Sequence, residues 1–367
     1  MKVNINEAGN GDCLLLQSGE TAVLVDGGTA SSYQSWGKAV TSQKKLDCVI
    51  VTHIDSDHVN GIIKLLESTR LGTFTIDQFL YNGAPQILGL ESSEIDEEHD
   101  QDYEQIATLH EKVTEDTEVG SSEGTSLSYL IKKLDLNVNA EAIHTSNTKT
   151  FSIGELTFEL ISPNIEALEE LKEVWLETLN DDGISPKIIS KSHSNAFEKY
   201  IDSLREDYLE EITDLEEHSI SSLAEFDYVR DNSLANKSSF AFLVKNKTSK
   251  LLMLGDCHAE TLLTWLDNNK LNTIEVDAVK LSHHGSKNNI NTELIERVIT
   301  ENYIISTNGK VHNHPDLETL AIIAQKSKSS LKKIYINYDI SHIPDSFLRE
   351  LESYSTYVYM NERELEI

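Results

Sequence analysis

The sequence predicts a layered α/β fold, and three observations predict it. Short strand-like runs separated by tight turns open the chain, strand and helix segments alternate through its last third, and two helix-like acidic stretches interrupt the pattern. Hydrophobic residues make up 39% of the 367 positions, enough to bury a sizeable core.

Taken in order, Val3–Asn6, Cys13–Gln17 and Thr21–Val25 read as strands separated by Gly9-Asn10-Gly11-Asp12 and Ser18-Gly19-Glu20. Val25-Asp26-Gly27-Gly28 ends the third. Asp47–Thr52 is a compact apolar run suited to a buried strand. A helix is expected from about Val59, with Ile62, Ile63, Leu65 and Leu66 at helical spacing. A strand over Thr75–Leu80 and a hairpin over Phe151–Ile161, turning at Gly154, follow. Leu168, Leu171, Val174 and Trp175 mark one amphipathic helix; Phe197, Tyr200, Ile201, Leu204 and Tyr208 mark another. Strands are expected at Phe240–Val244, Leu251–Leu254, Val276–Leu281, Ile304–Ser306 and Lys333–Ile336, with helices at Thr292–Val298, Leu317–Ala324 and Asp345–Leu351.

The net charge of −31 is concentrated. Residues 86–147 carry 15 acidic and 3 basic side chains, and residues 164–235 carry 19 and 6. These two segments are read as acidic helical insertions in one domain spanning 1–367. The remaining 233 or so residues suffice for a single core. An acidic surface repels nucleic-acid backbones at long range and argues against non-specific DNA coating, though not against a strand threading into a local site. It also suits a basic protein partner for the insertions. No apolar run is long enough to span a bilayer and no secretory leader pattern opens the chain, so a cytoplasmic location without membrane association is expected. Cys13, Cys48 and Cys257 are widely spaced, form no CxxC pair, and read as buried thiols in a reducing compartment.

The chemistry concentrates in His53-Ile54-Asp55-Ser56-Asp57-His58, placed just after a buried strand. Two imidazoles and two carboxylates within six positions offer nitrogen and oxygen donors to a divalent metal. A polar surface loop is the competing reading. Two distant segments argue against it: Leu251–Asp256 is an apolar strand ending in a carboxylate, and Val279–Ser286 is one ending in His283-His284. Alternatively Asp256 caps the next helix and the histidine pair lines a loop. Three strand ends bearing metal-binding side chains make one site if the strands are neighbours in a sheet.

In order, LVDGG, THIDSDH, MLGD and LSHHGS resemble the metallo-β-lactamase superfamily. More narrowly, with Gly9-Asn10-Gly11-Asp12-Cys13 and His312-Asn313-His314-Pro315, the chain resembles the hydrolase domain of bacterial competence DNA-uptake proteins. The resemblance covers residues 1–84, 149–163 and 236–315. It implies a four-layer αββα sandwich and two divalent ions, zinc or manganese, with magnesium an alternative. His53 and Asp55 would bind the first ion; Asp57, which would also serve catalysis, His58 and His283 the second; Asp256 would bridge them. Asp26 would orient the loop from behind. His284 would contact substrate or transfer a proton, with the choice of ligand between His283 and His284 left open. Ser286 and His314 would line the phosphate or leaving-group side, although for His312 and His314 an exposed turn is an equal reading. Two departures matter: Asp55 stands where the superfamily has its second histidine, and Asn236 occupies the place of another. Asn236 could contact metal or substrate, with His193 a lesser stand-in. Oxygen donors make the first site harder and weaker.

The expected reaction is hydrolysis of a phosphodiester by a metal-activated water, as a nuclease or, alternatively, as a phosphodiesterase for a cyclic nucleotide or choline-type ester. A binding or regulatory subunit with a degenerate site is the third reading. His258 is expected to be structural. Lys280 and Lys287 would attract a phosphate or be solvated surface. His99, His110, His144, His218 and His342 have no convergent partners in the sequence.

Overall fold

The structure is a computed structural model that describes residues 1–68, 74–93, 99–110, 125–204 and 219–367. The chain opens with a meander of strands β1 (Lys2–Ile5), β2 (Leu14–Ser18) and β3 (Thr21–Val25). Helix α1 (Tyr33–Thr41), strands β4 (Lys45–Leu46) and β5 (Cys48–Ile50), helix α2 (Ser56–Glu67) and strands β6 (Thr75–Ile76) and β7 (Phe79–Leu80) follow. Helices α3 (Ala84–Leu88), α4 (Asp100–Leu109) and α5 (Leu127–Lys133) precede the hairpin β8 (Thr150–Ile153) and β9 (Leu156–Ser162). Helices α6 (Ile165–Asp181), α7 (Lys191–Ser203), α8 (Ile220–Leu223) and α9 (Leu234–Lys237) lead to β10 (Ala241–Lys245) and β11 (Lys250–Met253). Next come α10 (Ala259–Asn268), β12 (Ile274–Glu275), β13 (Ala278–Lys280), α11 (Thr292–Arg297), β14 (Val298–Ile299) and β15 (Asn302–Ile305). Helix α12 (Leu317–Lys326), β16 (Lys332–Ile336), α13 (Asp345–Ser353), β17 (Thr356–Met360) and β18 (Glu364–Glu366) complete the chain.

Two sheets carry the fold, one ordered β18-β1-β2-β3-β5-β7 and the other β17-β16-β15-β13-β11-β10-β9-β8. Strand alternation sends successive side chains to opposite faces, and the core follows that rule. Leu14, Leu16, Val23 and Val25 of the first sheet pack with Phe158, Phe242, Val244, Leu251 and Met253 of the second. Between them, Leu15, Ala22 and Leu24 face outward onto α1 to α7 and α9. Ala241, Leu243, Leu252 and Leu254 face outward onto α8 and α10 to α13. The result is four layers, helix–sheet–sheet–helix, as expected. Phe151 stacks on Phe158 at 5.1 Å, and both meet Phe242 edge-on, filling the space between the sheets.

The described parts of the acidic segments include helices α4 to α9, and the apolar faces of all but α8 are continuous with the core over the first sheet. Tyr103, Ile106, Leu127, Trp175, Leu179 and Phe197 belong to the same buried cluster as Val49, Ile62 and Leu65. Tyr208, expected on the second amphipathic helix, and His218 lie outside the described residues, where α7 ends at Ser203. The expected strand over Thr75–Leu80 is instead two short pieces in different sheets, β6 with β4 and β7 with β5. No helix among the described residues is long and apolar enough to cross a membrane.

Candidate metal centre

The site forms where the ends of β5, β11 and β13 meet. These strands are not neighbours in one sheet, as the sequence reading required. β11 and β13 pair in parallel in the larger sheet, whereas β5 lies in the smaller one between β3 and β7. The sandwich brings the two sheets' ends together, and a bond from Phe240 N to Thr52 O (2.9 Å) ties them there.

Backbone contact sets the first loop. Asp26, at φ 57°, and Gly28, at φ 69°, turn the chain after β3. The turn docks on α2 through Gly27 N to His58 O and Gly61 N to Gly28 O, both 2.9 Å. The buried Asp26 carboxylate accepts from Thr52 N (2.7 Å) and Thr52 Oγ1 (2.8 Å) and meets His58 Nδ1 at 2.9 Å. It therefore stands behind the loop and points His58 Nε2 forward, where the sequence reading put it. Asp55 occupies the N-cap position of α2 but makes no capping bond. Its side chain turns inward, with Oδ2 3.4 Å from His53 Nε2. The helix start is served instead by Asp202 of α7, whose Oδ1 accepts from Ser56 N at 2.8 Å.

Asp256 is the centre of the cluster. Its Oδ2 lies 3.2 Å from His58 Nε2, 3.4 Å from His284 Nε2 and 3.9 Å from His53 Nε2. Asp57 Oδ2 is 3.6 Å from His284 Nε2 and accepts from Asn10 Nδ2 at 2.7 Å. The groupings His53–His58–Asp256 and Asp57–His58–His284 each converge closely enough to hold an ion, and all five residues are buried.

Of the histidine pair, His284 faces the cluster. His283, His284 and Gly285 sit at successive positive φ values of 45°, 56° and 87°. This turn directs the two rings apart. His284 Nδ1 is anchored on Ser306 O (2.9 Å), leaving Nε2 toward Asp256. His283 Nδ1 instead contacts Asn289 Oδ1 (2.8 Å), with Asn236 Nδ2 at 3.4 Å and Asp231 Oδ2 at 3.8 Å. The resemblance puts His283 in the metal set and His284 toward substrate, with the choice between them open; here His284 Nε2 turns to Asp256 and His283 turns to Asn289. His283 faces His314, ring centroids 5.4 Å apart, and His312 stands 5.8 Å beyond. His314 is buried rather than an exposed turn, with Nδ1 3.3 Å from Asp316 Oδ2.

Asn236 is buried and donates to Asp231 Oδ2 (2.8 Å), while its Oδ1 has no hydrogen-bond partner among the described residues. Ser286 is buried too, and its hydroxyl accepts from Asn288 N (3.2 Å) within its own turn. His193 lies in the core of the acidic helices, stacked on Tyr103 at 4.3 Å and bonded to Trp175. His258 bonds Ser233 O at 3.1 Å, in keeping with a structural role. Lys287 pairs with Glu318 at 3.0 Å.

Three residues with prominent places were not singled out. Asp12, Asp231 and Asn289 are buried around the histidines, the last two bonded to each other at 2.8 Å. Lys280, expected either to attract a phosphate or to be solvated surface, is completely buried and paired with Asp12. A lysine inside the apolar run Val276–Leu281 was the signal.

Burial disfavours charge on each of these groups, yet their mutual attraction outweighs it. Asp256 and Asp26 hold His58 well above the usual imidazole range, and Asp256 and Asp12 raise His284 to about 9. The same two imidazoles hold Asp256 well below the usual carboxylate range, and Lys280 lowers Asp12. The carboxylates thus favour positive charge beside them, which a divalent cation would supply. Burial pushes the Cys257 thiol, beside Asp256, up to about 12.

The donor atoms fit a metal. His53 Nε2, both Asp55 oxygens, His58 Nε2 and His284 Nε2 are buried without a hydrogen bond among the described residues. Each such atom costs about 1–3 kcal/mol unless something satisfies it.

The sequence model of the metallo-beta-lactamase superfamily matches residues 6–131, which include Asp26 and the His53–His58 loop but not Asp256 or His284. Among curated protein sequences, none matches the chain. Similar solved structures include the metallo-beta-lactamase fold protein YhfI from Bacillus subtilis (11% identity, 100% of this chain and 99% of that one, TM-score 0.41). Zn(2+)-bound PqqB from Methylobacterium extorquens is another (12%, 100% of both chains, TM-score 0.40), as is the short form of human tRNase Z (10%, 100% and 99%, TM-score 0.38). The mixed α/β architecture is consistent with the metallo-β-lactamase fold, which the match over residues 6–131 supports.

Proposed function

We propose that this chain is a divalent-metal-dependent hydrolase of phosphodiesters. One observation carries the reading: the buried imidazole and carboxylate atoms that converge around Asp256 Oδ2 without hydrogen bonds of their own among the described residues. His53, Asp55 and Asp256, with the Asn236 carbonyl oxygen, would hold one ion; Asp57, His58, His284 and Asp256 would hold the second. Zinc and manganese suit this mixed donor set, with magnesium a weaker match to its imidazoles. When bound, the ions supply an ionised water near neutral pH and positive charge for the phosphoryl oxygens. The chain's own residues do the rest. Asp26 fixes the His58 ring, so that Nε2 faces the cluster. Asn10 holds Asp57. His314, beside Asp316 and facing His283, would donate a proton to the leaving oxygen.

The finer resemblance, to the competence-type hydrolase domain, draws support from its two extra motifs. Asn10 and Asp12 of the first contact Asp57 and Lys280, and His314 of the second faces His283. A small phosphodiester is the second reading of the substrate. It draws support from α7, which lies directly against the metal loop through Asp202 and Ser56 and would narrow the room for a polymer.

The test is manganese-stimulated hydrolysis of bis(p-nitrophenyl) phosphate by wild type, Asp57→Ala and Asp256→Asn. Turnover by wild type that is lost in both variants is expected. Folded wild-type protein that binds manganese or zinc yet turns over no phosphodiester would overturn the reading.

A further inference from the structure

Beneath the cluster lies a charge that the hydrolytic chemistry does not use. Lys280 ends β13 with its side chain fully buried. Its ammonium pairs with Asp12, donates to Gly255 O (3.2 Å) and lies 3.8 Å from Asp256 Oδ1. Asp12 reaches further, with Oδ1 3.4 Å from His284 Nδ1. A buried ammonium is costly and persists only among close partners. Here the partners divide the labour of Asp256: Oδ2 faces the three imidazoles, and Oδ1 faces the lysine.

We propose that Lys280 and Asp12 together are positioning residues for the metal centre. Lys280 holds Asp256 Oδ1 away from the cations, so that Asp256 offers them a single oxygen. Asp12 keeps the ammonium in place and steadies the His284 ring from behind. The pair also sets the charge of the site, because five carboxylates (Asp12, Asp26, Asp55, Asp57 and Asp256) gather there against one permanent cation. The inference rests on the hydrolase reading only in assuming that cations bind.

The consequence is a pair of opposite effects on metal affinity, which a merely structural ion pair would not produce. Lys280→Met removes the cation, frees Asp256 Oδ1 and leaves the site more negative, so manganese should bind on the order of tenfold more tightly while kcat falls. Asp12→Asn leaves the lysine uncompensated beside the ions, so manganese should bind on the order of tenfold more weakly. Both variants should lose thermal stability, since each strands a buried charge. The neutral double variant Lys280→Met/Asp12→Asn should regain stability and near-wild-type affinity, but not kcat.

The experiment is calorimetric titration of the metal-free full chain with manganese and with zinc, alongside thermal denaturation. Opposite shifts in affinity support the proposal. Shifts in the same direction that follow the loss of stability overturn it and leave the hydrolase reading standing. If Lys280→Met does not fold, the comparison of Asp12→Asn with the double variant decides, since the double must bind more tightly. Wild type that binds neither ion overturns both readings.

Discussion

Replacing Gly61 with alanine tests how the metal loop is held. Gly61 lies within α2, where alanine is intrinsically favoured over glycine by about 1 kcal/mol. Helix propensity alone therefore predicts stabilisation. The packing predicts the reverse, because a Cβ at Gly61 would lie 1.8 Å from Gly27 O and 3.1 Å from Trp36 Cζ2. An ordinary C···O contact is ~3.3 Å, so helix and turn must separate by about 1.5 Å at that point. The move would break two backbone bonds, Gly61 N to Gly28 O and Gly27 N to His58 O. Losing them at roughly 1 kcal/mol each, with overpacking of about 1–3 kcal/mol set against the propensity gain, leaves a net destabilisation of roughly 2–4 kcal/mol. Asp57 and His58 ride the first turn of the same helix, and the His58–Asp26 bond spans the same contact. Manganese affinity should fall by about 10–100-fold, the usual effect of disturbing a residue behind a metal ligand. Urea denaturation and calorimetric titration measure the two quantities, with Asn60→Ala on the same helix as control. A Gly61→Ala protein as stable as wild type, with unchanged affinity, would refute the backbone-docking argument.

Two further predictions address the histidine pair and the acidic helices. His284→Ala should remove one of the two ions, whereas His283→Ala should retain both and lose turnover; metal counts by elemental analysis of dialysed protein separate them, and the opposite pattern would restore His283 to the metal set. Glu198 of α7 is buried and accepts from Leu127 N (2.9 Å) and Ser128 N (3.2 Å), and burial pushes its pKa up to about 7. The folded state then holds a proton that the unfolded chain releases near pH 4.5. Stability from this group is therefore full below that pH and lost as pH rises to about 7, by on the order of 3 kcal/mol. Glu198→Gln should abolish this slope, so its melting temperature relative to wild type should climb between pH 4.5 and 7.5; a constant difference would show that Glu198 is ionised throughout.

Much of the fold was legible because its signals are local. Leu14–Gln17, Thr21–Val25 and Leu251–Leu254 are compact, mostly apolar runs, and in the folded strands their successive side chains meet the other sheet and the helices in turn. Helix α1 and strands β17 and β18 escaped notice for the same reason. Trp36 and Val40 are the only large apolar side chains that α1 buries, and Tyr357 and Tyr359 present exposed rings on an edge strand. The start of α2 at Ser56 was hidden because its N-cap residue, Asp55, is turned into the cluster and the helix is served by Asp202, 146 positions away.

By itself the sequence determined the donor types and their approximate places: a loop of histidines and aspartates after one buried strand, a carboxylate after a second, two histidines after a third. Composition also placed the excess negative charge in two segments. Tertiary structure alone decided which atoms face one another. It joined strand ends from two different sheets, turned His284 toward Asp256 and His283 away through a run of left-handed backbone, and buried Lys280 against Asp12. The physical reason is range. Propensity and periodicity act over a few residues, whereas the direction of a ring or the charge beside a carboxylate depends on groups hundreds of residues apart, which only the packed sandwich brings together.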